Sequence, residues 1–414
     1  MKARILGCAI VMTLLRTLAH GQIAPITPRE CPAGGKYLYD VQKLLNQFVT
    51  PTYDSDGNRL VITATHRGNW EVDPDNSISA FESAFLRGDE ALESDVRMDA
   101  DGTLWNIHDD VLNRQTSLIP PDPTKAEYIA DTHTARLNTA FLRDRFGNIT
   151  KEPLEYFDEL LYWYYAEALC RKPGSNEPYG PVLVIDVKGA GLNAASGRQY
   201  DTLVATWKKI KSWNSQNNLK WSSDPGLGLI LKVHLNKIKD IQSFANDLGL
   251  TDDIDPKTKN WNHNFLFVIN PEDPAPGAWP QYQAYSRAKF TLDFELNQNT
   301  PKGPIYQKGW YEEFASYVVP DGWGTISGKT GRSLQQYLEQ DSYPEGHPTG
   351  GTCCRVTVTP PFGTSPDATH TPPYTWKGYF VQFFSITDVM TVDQPAVVNS
   401  AYGAVKKRDM EVFK

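Results

Sequence analysis

Two acidic residues, Glu93 and Asp95, have a spacing that suggests a functional site. They stand two residues apart in the run Ala91–Val96, which is otherwise mostly apolar and predicts a buried strand. Because side chains alternate along a strand, both carboxylates are expected on the same face. Two buried carboxylates repel each other, and a hard divalent cation bound through oxygen relieves that repulsion. The pair therefore predicts a site for a divalent cation.

Two histidines stand where apolar runs end, on either side of this pair. His66 follows Val61–Thr65, and His108 follows Leu104–Ile107. A parallel strand delivers the side chains at its carboxyl end to the mouth of the sheet, where α/β proteins bind their ligands. Imidazoles beside a carboxylate metal site indicate general acid and base work on a phosphoester.

A further buried strand is predicted over Pro181–Val187, since it is apolar on both faces until Asp186. Asp186 and Lys188 stand two residues apart and share a face. Lys232 and His234 lie in another predicted strand, and a binding role and a structural role both remain open for them.

The elements that would position these residues alternate between strand and helix, which predicts a parallel α/β sheet. Strands are predicted near residues 61, 91, 181, 228, 265, 290, 324 and 379–392. Helices are predicted over 41–48, 77–87, 153–170, 237–248, 282–288, 307–318 and 333–339. This alternation alone allows either a closed barrel or an open doubly wound sheet.

An ordered set of short motifs resembles the glycerophosphodiester phosphodiesterase family. The motifs are His66-Arg67-Gly68, Pro74-Asp75-Asn76-Ser77, Glu93-x-Asp95-Val96, Asp101-Gly102 and His108-Asp109. The resemblance extends from about Val61 to Val398 and is dense at its start. It implies a (β/α)8 TIM barrel with an N-terminal extension and long loop insertions.

The resemblance also implies a function and a site. The function is metal-dependent hydrolysis of glycerophosphodiesters to glycerol phosphate and an alcohol. One divalent cation, Mg²⁺ or Ca²⁺, would be held by Glu93, Asp95 and Asp186. His66 and His108 would be the acid and base pair, Arg67 and Lys188 would bind the phosphate, and Asp109 would orient a histidine.

Two other functions remain open. The family more often has Glu where Asp186 stands, and sphingomyelinase-D-like relatives have Asp there. An enzyme of the phospholipase-D or sphingomyelinase-D kind, releasing a cyclic phosphate from intact lipids, is therefore the nearest alternative. A non-catalytic secreted barrel is the second, although the complete set of two histidines and three acids argues against it.

The start of the chain predicts export. Residues 1–21 have a basic start, an apolar stretch and a small-x-small cleavage sequence, and are expected to be a signal peptide. Residues 22–58 would be the N-terminal extension, and 59–414 the barrel domain. The polar stretch 111–151 would be either a loop over the site, as the resemblance implies, or a plain surface excursion. The mature chain is expected to be secreted or extracytoplasmic.

Cysteine usage agrees with export, because four of the five cysteines remain after residue 21 and an even number suggests disulfides. Cys353 and Cys354 are adjacent, so each is expected to pair with a distant cysteine rather than with its neighbour. Three connectivities are possible, the sequence does not choose among them, and buried free thiols are the alternative. The net charge of −8 over 414 residues gives no sign of a nucleic-acid surface. The expected partner is a small phosphodiester; no membrane span is predicted, and the oligomeric state is open.

Overall fold

A computed structural model describes most of the first half of the chain and shorter pieces of the second. The described residues are 26–27, 29–32, 39–47, 52–58, 60–112, 115–121, 127–145, 147–175, 177–189, 198–217, 227–234, 241–249, 265–269, 291–294, 389–392, 395–404, 406 and 408–414. All statements below concern these residues.

Twelve strands are described. They are β1 (Ile62–Thr65), β2 (Ala91–Met98), β3 (Leu104–Asn106), β4 (Phe141–Arg143), β5 (Ile149–Pro153), β6 (Cys170–Arg171), β7 (Pro178–Tyr179), β8 (Val182–Val187), β9 (Leu229–His234), β10 (Phe265–Ile269), β11 (Thr291–Phe294) and β12 (Val389–Val392). The main sheet is parallel in the order β11-β10-β9-β8-β2-β1-β12, and β3 pairs antiparallel with β2. The parallel α/β sheet predicted from the sequence is therefore confirmed.

Ring closure would require pairing between β11 and β12 or additional strands between them. In the order of the described strands β11 and β12 are the two ends. The strands predicted near residue 324 and over 379–386 lie outside the described residues, as do the helices predicted over 282–288, 307–318 and 333–339.

Seven α-helices are described around the sheet. They are α1 (Val41–Gln47), α2 (Ile78–Arg87), α3 (Thr134–Leu137), α4 (Phe157–Trp163), α5 (Gln199–Asn217), α6 (Ile241–Leu248) and α7 (Pro395–Ala404), with a π-helical turn over Tyr164–Ala168 directly after α4. None of the described helices is both long and apolar enough to cross a lipid bilayer.

Helix α2 shows how local sequence defines an element beside the site. It begins at a Ser77 cap whose hydroxyl accepts the backbone N–H of Ala80 at 3.1 Å, and it ends at Gly88 in the left-handed region. Its apolar face, including Phe81 and Ala84, is buried in the main core. The helix therefore fixes the loop that leaves β1 and carries the first site motif.

The core lies on both faces of the parallel sheet. Every residue of β8 is buried, and so are all residues of β2 except Met98. Burial on both faces explains why β8 is a near-continuous apolar run, whereas β2 buries the polar residues of the site. Helix α5 contributes Trp207 and Ile210 to this core. It was not recognised from the sequence, and it is the longest of the described helices.

The stretch after His108 is a folded layer with its own core, which corrects the interpretation of it as a plain excursion. Strands β4 and β5 pair antiparallel, and Thr116 bridges to Leu142 on the other side of β4. A second apolar cluster lies beneath them, formed by residues that share complete or near-complete burial: Trp105, Ile107, Leu112, Leu118, Ile129, Leu137, Ala140, Leu142 and Leu154. The layer is therefore anchored to the sheet through β3.

One disulfide joins Cys31 to Cys170, with the Cα atoms 4.9 Å apart. Cys31 and Cys170 are therefore not available to Cys353 and Cys354, contrary to the expectation that each of these two pairs with a distant cysteine. A backbone hydrogen bond from Cys31 N to Arg171 O, 2.9 Å long, brings the N-terminal segment alongside β6 and sets up the bridge. Cys353 and Cys354 lie outside the described residues.

Candidate active site

Three carboxylates lie close together on two adjacent strands of the sheet. Glu93 and Asp95 on β2 and Asp186 on β8 each offer an oxygen, and these oxygens lie within 4.8 Å of one another. All three side chains are fully buried. The structure thus brings together the three acids that the sequence analysis singles out as metal ligands.

The strand register explains this convergence. Asp95 on β2 is the register partner of Asp186 on β8, and Asp186 is the register partner of Lys232 on β9. Neighbouring strands lie ~4.8 Å apart, so register partners present their side chains side by side. An acid, an acid and a lysine therefore form one row across three adjacent strands.

Two lysines contact this row. Lys188 Nζ lies 2.5 Å from Asp186 Oδ2 and 3.3 Å from Asp95 Oδ1. Lys232 Nζ lies 2.7 Å from Asp186 Oδ2 and is completely buried. Lys188 was predicted to belong to the site, whereas the sequence left the role of Lys232 open.

Arg67 reaches the same cluster from the loop after β1. Its backbone N–H donates to Glu93 Oε2 at 3.1 Å, and its Nε lies 3.3 Å from Asp95 Oδ2. Its backbone is left-handed, with φ 55°. The next residue, Gly68, has φ 74°, and a Cβ there would lie 2.7 Å from the backbone of Ala80, so only glycine lets the loop pass this close to α2.

Asn76 is a site residue whose role the sequence analysis missed, although it lies within one of the motifs. Its amide Nδ2 donates to Asp95 Oδ2 at 2.9 Å, and its Oδ1 accepts the backbone N–H of Asp95 at 2.9 Å. The side chain is fully buried, and the backbone is left-handed with φ 61°. Asparagine adopts this conformation more readily than most residues. Asn76 thus holds Asp95 in place by two contacts.

His108 and His66 flank the acids. His108 Nδ1 lies 2.9 Å from Asp109 Oδ1, so Asp109 orients the ring, as the sequence analysis expects. Burial and then the charge of Arg67 hold the pKa of His108 well below its usual value. His66 is also buried, and its charge favours the ionised form of Glu93. Both histidines therefore lie in the electrostatic field of the carboxylate cluster.

The acids differ in how readily they ionise. Burial, and then the charge of Asp95, raise the pKa of Glu93 to about 8. Burial opposes ionisation of Asp95 too, yet His108, Lys188 and Arg67 together hold its pKa below the usual value.

The residues present fit a hard divalent cation. Glu93 Oε1 is buried and has no hydrogen-bond partner among the described residues. Such an orphaned carboxylate oxygen, in a cluster of three acids, is the donor set that Mg²⁺ and Ca²⁺ prefer.

The site lies at the carboxyl ends of parallel strands and combines buried acids, cations and two histidines, a set of groups suited to the hydrolysis of phosphoric esters. Residues 66–223 match the model of the family described as "Glycerophosphoryl diester phosphodiesterase family". The segment that carries most of the candidate site is therefore similar to that family.

Two curated bacterial relatives are similar to this chain. An uncharacterised protein of Sinorhizobium fredii is 27% identical over 318 residues, covering 75% of this chain and 74% of the relative. An uncharacterised protein of Bacillus subtilis is 43% identical over 101 residues, covering 24% of this chain and 38% of that protein.

Solved structures of the family also resemble the chain. A glycerophosphodiester phosphodiesterase of Parabacteroides distasonis is 13% identical, with a TM-score of 0.42 over 84% of this chain and 100% of that one. A phosphodiesterase of Oleispira antarctica, solved with the product sn-glycerol-3-phosphate, is 14% identical, with a TM-score of 0.31 over 58% of this chain and 85% of that one. The likeness to the family is carried by the sequence match over residues 66–223.

Proposed function

We propose that this chain is an exported enzyme that hydrolyses glycerophosphodiesters to glycerol phosphate and an alcohol, with one divalent cation and with His66 and His108 as acid and base. The observation that carries the proposal is the buried cluster of Glu93, Asp95 and Asp186, whose oxygens lie within 4.8 Å. A bound Mg²⁺ or Ca²⁺ would neutralise charge on a non-bridging phosphate oxygen.

Two cationic side chains, those of Arg67 and Lys188, would also bind the phosphate. Arg67 and Lys188 already lie against the carboxylates, at 3.3 Å and 2.5 Å from Asp95 and Asp186 respectively. A phosphodiester monoanion at the mouth of the sheet would meet both of them. Arg67 offers several N–H donors in a rigid plane, whereas the Lys188 ammonium acts as a point charge.

The histidines move the protons. One takes the proton of a substrate hydroxyl, such as the glycerol 2-hydroxyl, as its oxygen bonds to phosphorus. The other gives a proton to the alcohol oxygen as its bond to phosphorus breaks. Water then opens the cyclic phosphate with the two roles reversed. Asp109, 2.9 Å from His108 Nδ1, orients that ring so that Nε2 is the nitrogen presented to substrate.

We extend the proposal to the architecture and the location of the chain. The parallel sheet is proposed to close as a (β/α)8 barrel over residues 59–414, with residues 22–58 as an N-terminal extension. Residues 1–21 are proposed to be removed on export. The Cys31–Cys170 disulfide supports export, because disulfides persist in oxidising compartments. Mass spectrometry of the secreted chain would show whether it begins at Gln22.

The activity is tested by choline release from glycerophosphocholine, with added Mg²⁺ or Ca²⁺, with EDTA, and with the His66→Ala variant. Metal-dependent release that disappears in the variant is expected. Choline release that persists in EDTA would contradict the requirement for a divalent cation. No release by the folded protein would contradict glycerophosphocholine as a substrate.

A second candidate, release of a cyclic phosphate from an intact lipid, has one observation in its favour. The third acid of the cluster is Asp186, the residue type that sphingomyelinase-D-like relatives have at this position. Sphingomyelin and lysophosphatidylcholine, assayed with a cyclic-phosphate readout beside glycerophosphocholine, distinguish the two candidates.

A further inference from the structure

Lys232 is a completely buried lysine on β9 to which the proposed mechanism gives no role. Lysine is almost never fully buried unless its ammonium is paired, because desolvation of the charge costs too much. Here the pairing is with Asp186, its register partner on β8. The strand register therefore places a buried cation directly beside a carboxylate of the proposed metal cluster.

The contacts show how Asp186 is held. Lys232 Nζ donates to Asp186 Oδ2 at 2.7 Å, and Lys188 Nζ donates to the same oxygen at 2.5 Å. The two ammonium groups come from different places: one from the neighbouring strand and one from the end of the aspartate's own strand. Two charged donors on a single oxygen restrict rotation of a carboxylate that extends from its backbone by only one methylene.

The distribution of charge around the three acids also distinguishes Lys232 from the other cations. Among the described residues, the three acids are contacted by three cations, namely Arg67, Lys188 and Lys232. Arg67 and Lys188 also lie near the mouth, at 9% and 16% side-chain exposure, whereas Lys232 is at 0%. Lys232 is thus the cation of the three that a substrate at the mouth would not reach.

We propose that Lys232 is a positioning residue that holds the Asp186 carboxylate in the place from which it binds the divalent cation. The inference rests on the proposed function and deepens it. Groups that orient metal ligands commonly change metal affinity when they are replaced, by roughly 10- to 100-fold.

A purely charge-neutralising role for Lys232 predicts the opposite change in metal affinity. If Lys232 did nothing but neutralise a buried carboxylate, its ammonium would repel an incoming cation, and its removal would strengthen metal binding or leave it unchanged. If Lys232 positions Asp186, its removal weakens metal binding. The sign of the change in affinity therefore separates the two roles.

The experiment is calorimetric titration of Mg²⁺, Ca²⁺ and Mn²⁺ into the metal-stripped full-length protein. Lys232→Met removes charge and donor, and Lys232→Gln removes the charge but keeps an N–H donor. We expect metal affinity to fall roughly 10- to 100-fold in K232M, with K232Q between K232M and the wild type. Circular dichroism confirms folding of each variant, and K232Q decides the matter if K232M does not fold.

Arg408→Met is the matched control. Arg408 donates to Glu90 Oε1 and Oε2 at 2.5 and 2.7 Å, and Glu90 is fully buried just before β2 begins, away from the carboxyl end that carries Asp95. This variant also removes a cation from a buried acid, but it should leave metal affinity at the wild-type value.

The outcomes are distinguishable. If the wild type binds none of the three cations, the metal dependence in the proposed function is itself contradicted. A wild type that binds, together with a folded K232Q that binds equally or more tightly, overturns the role of Lys232 alone. A loss of affinity in R408M as large as that in K232M would also overturn it, because the effect would then follow from general destabilisation.

Discussion

Asp95 and Asp186 are register partners on the adjacent parallel strands β2 and β8, and they share one cation. Lys188 Nζ lies 3.3 Å from Asp95 and 2.5 Å from Asp186. Two carboxylates at the same level of adjacent strands would otherwise repel each other in a site without solvent. The shared ammonium thus holds the acidic pair together before any substrate arrives, and the same group is available to a phosphate at the mouth.

Lys188→Met should lower kcat/KM for glycerophosphocholine by about 10²- to 10³-fold, the usual cost of removing one donor from a charge-stabilising site. Lys188→Arg should retain more activity, because it keeps the charge. Steady-state kinetics measures both, with circular dichroism as the folding control. A K188M variant with activity within a few-fold of the wild type would show that this lysine does not act on the phosphate.

The two histidines can be assigned by the leaving group. His66→Ala and His108→Ala should each lower the rate by about 10²- to 10⁴-fold with a choline ester. With a p-nitrophenyl ester, whose phenolate leaves without a proton, the variant lacking the general acid should recover most of its loss. Equal losses on both substrates for both variants would exclude a division into acid and base.

Asn76→Ala should destabilise the fold by about 2–4 kcal/mol, because Asp95 loses two hydrogen bonds in a buried site. Part of this loss, ~1 kcal/mol, comes from placing alanine in the left-handed backbone region. Asn76→Gly removes the side chain without that strain and is the control. Urea unfolding gives the free energies, and equal stabilities for N76G and the wild type would contradict the role of the amide.

Removal of the disulfide should destabilise the protein by about 2–5 kcal/mol, since the bridge closes a long loop of the unfolded chain. The two cysteines are separated by 139 positions in sequence. The Cys31→Ser/Cys170→Ser double variant avoids a lone thiol, and its unfolding free energy is compared with that of the wild type. Peptide mapping without reductant checks the pairing, and a Cys31–Cys353 or Cys31–Cys354 peptide would contradict it.

His133 and Asp101 should titrate as a surface pair beside α3. The contact with Asp101, 2.8 Å long, raises the pKa of His133, and the same contact lowers the pKa of Asp101. The stabilisation from the histidine is complete below its unfolded pKa of ~6.5 and is lost as pH rises through the folded pKa. NMR titration should show the His133 pKa falling to its usual range in Asp101→Asn; an unchanged value would contradict the pair.

The sequence was sufficient for the residues whose roles follow from strand periodicity. Alternation in β2 predicted the shared face of Glu93 and Asp95, and the resemblance implied that Asp186 would join them; the structure brings all three together. Arg67 and Lys188 both contact Asp95, and their role in phosphate binding stays a prediction.

What the sequence could not show was register and long-range pairing. Lys232 is opposite Asp186 only because β9 pairs with β8 in one particular register, which periodicity within a single strand does not reveal. Asn76 lies in a motif, but its contact with Asp95 depends on a left-handed turn. Helix α5 has a weakly amphipathic sequence, so the usual apolar stripe that marks a helix is faint there.

The pairing of β1 with β12 joins two strands that lie more than 300 residues apart in the sequence. Ile62 meets Val389 and Thr65 meets Val392, and Arg408 donates to the carbonyl of Val61 at 3.2 Å. A nascent chain on the ribosome therefore carries an unpaired edge on β1 until residues 389–392 have been made. A premature stop codon before residue 389 would leave that edge exposed for good, so truncated copies should be substrates for chaperones and proteases however complete their catalytic residues are.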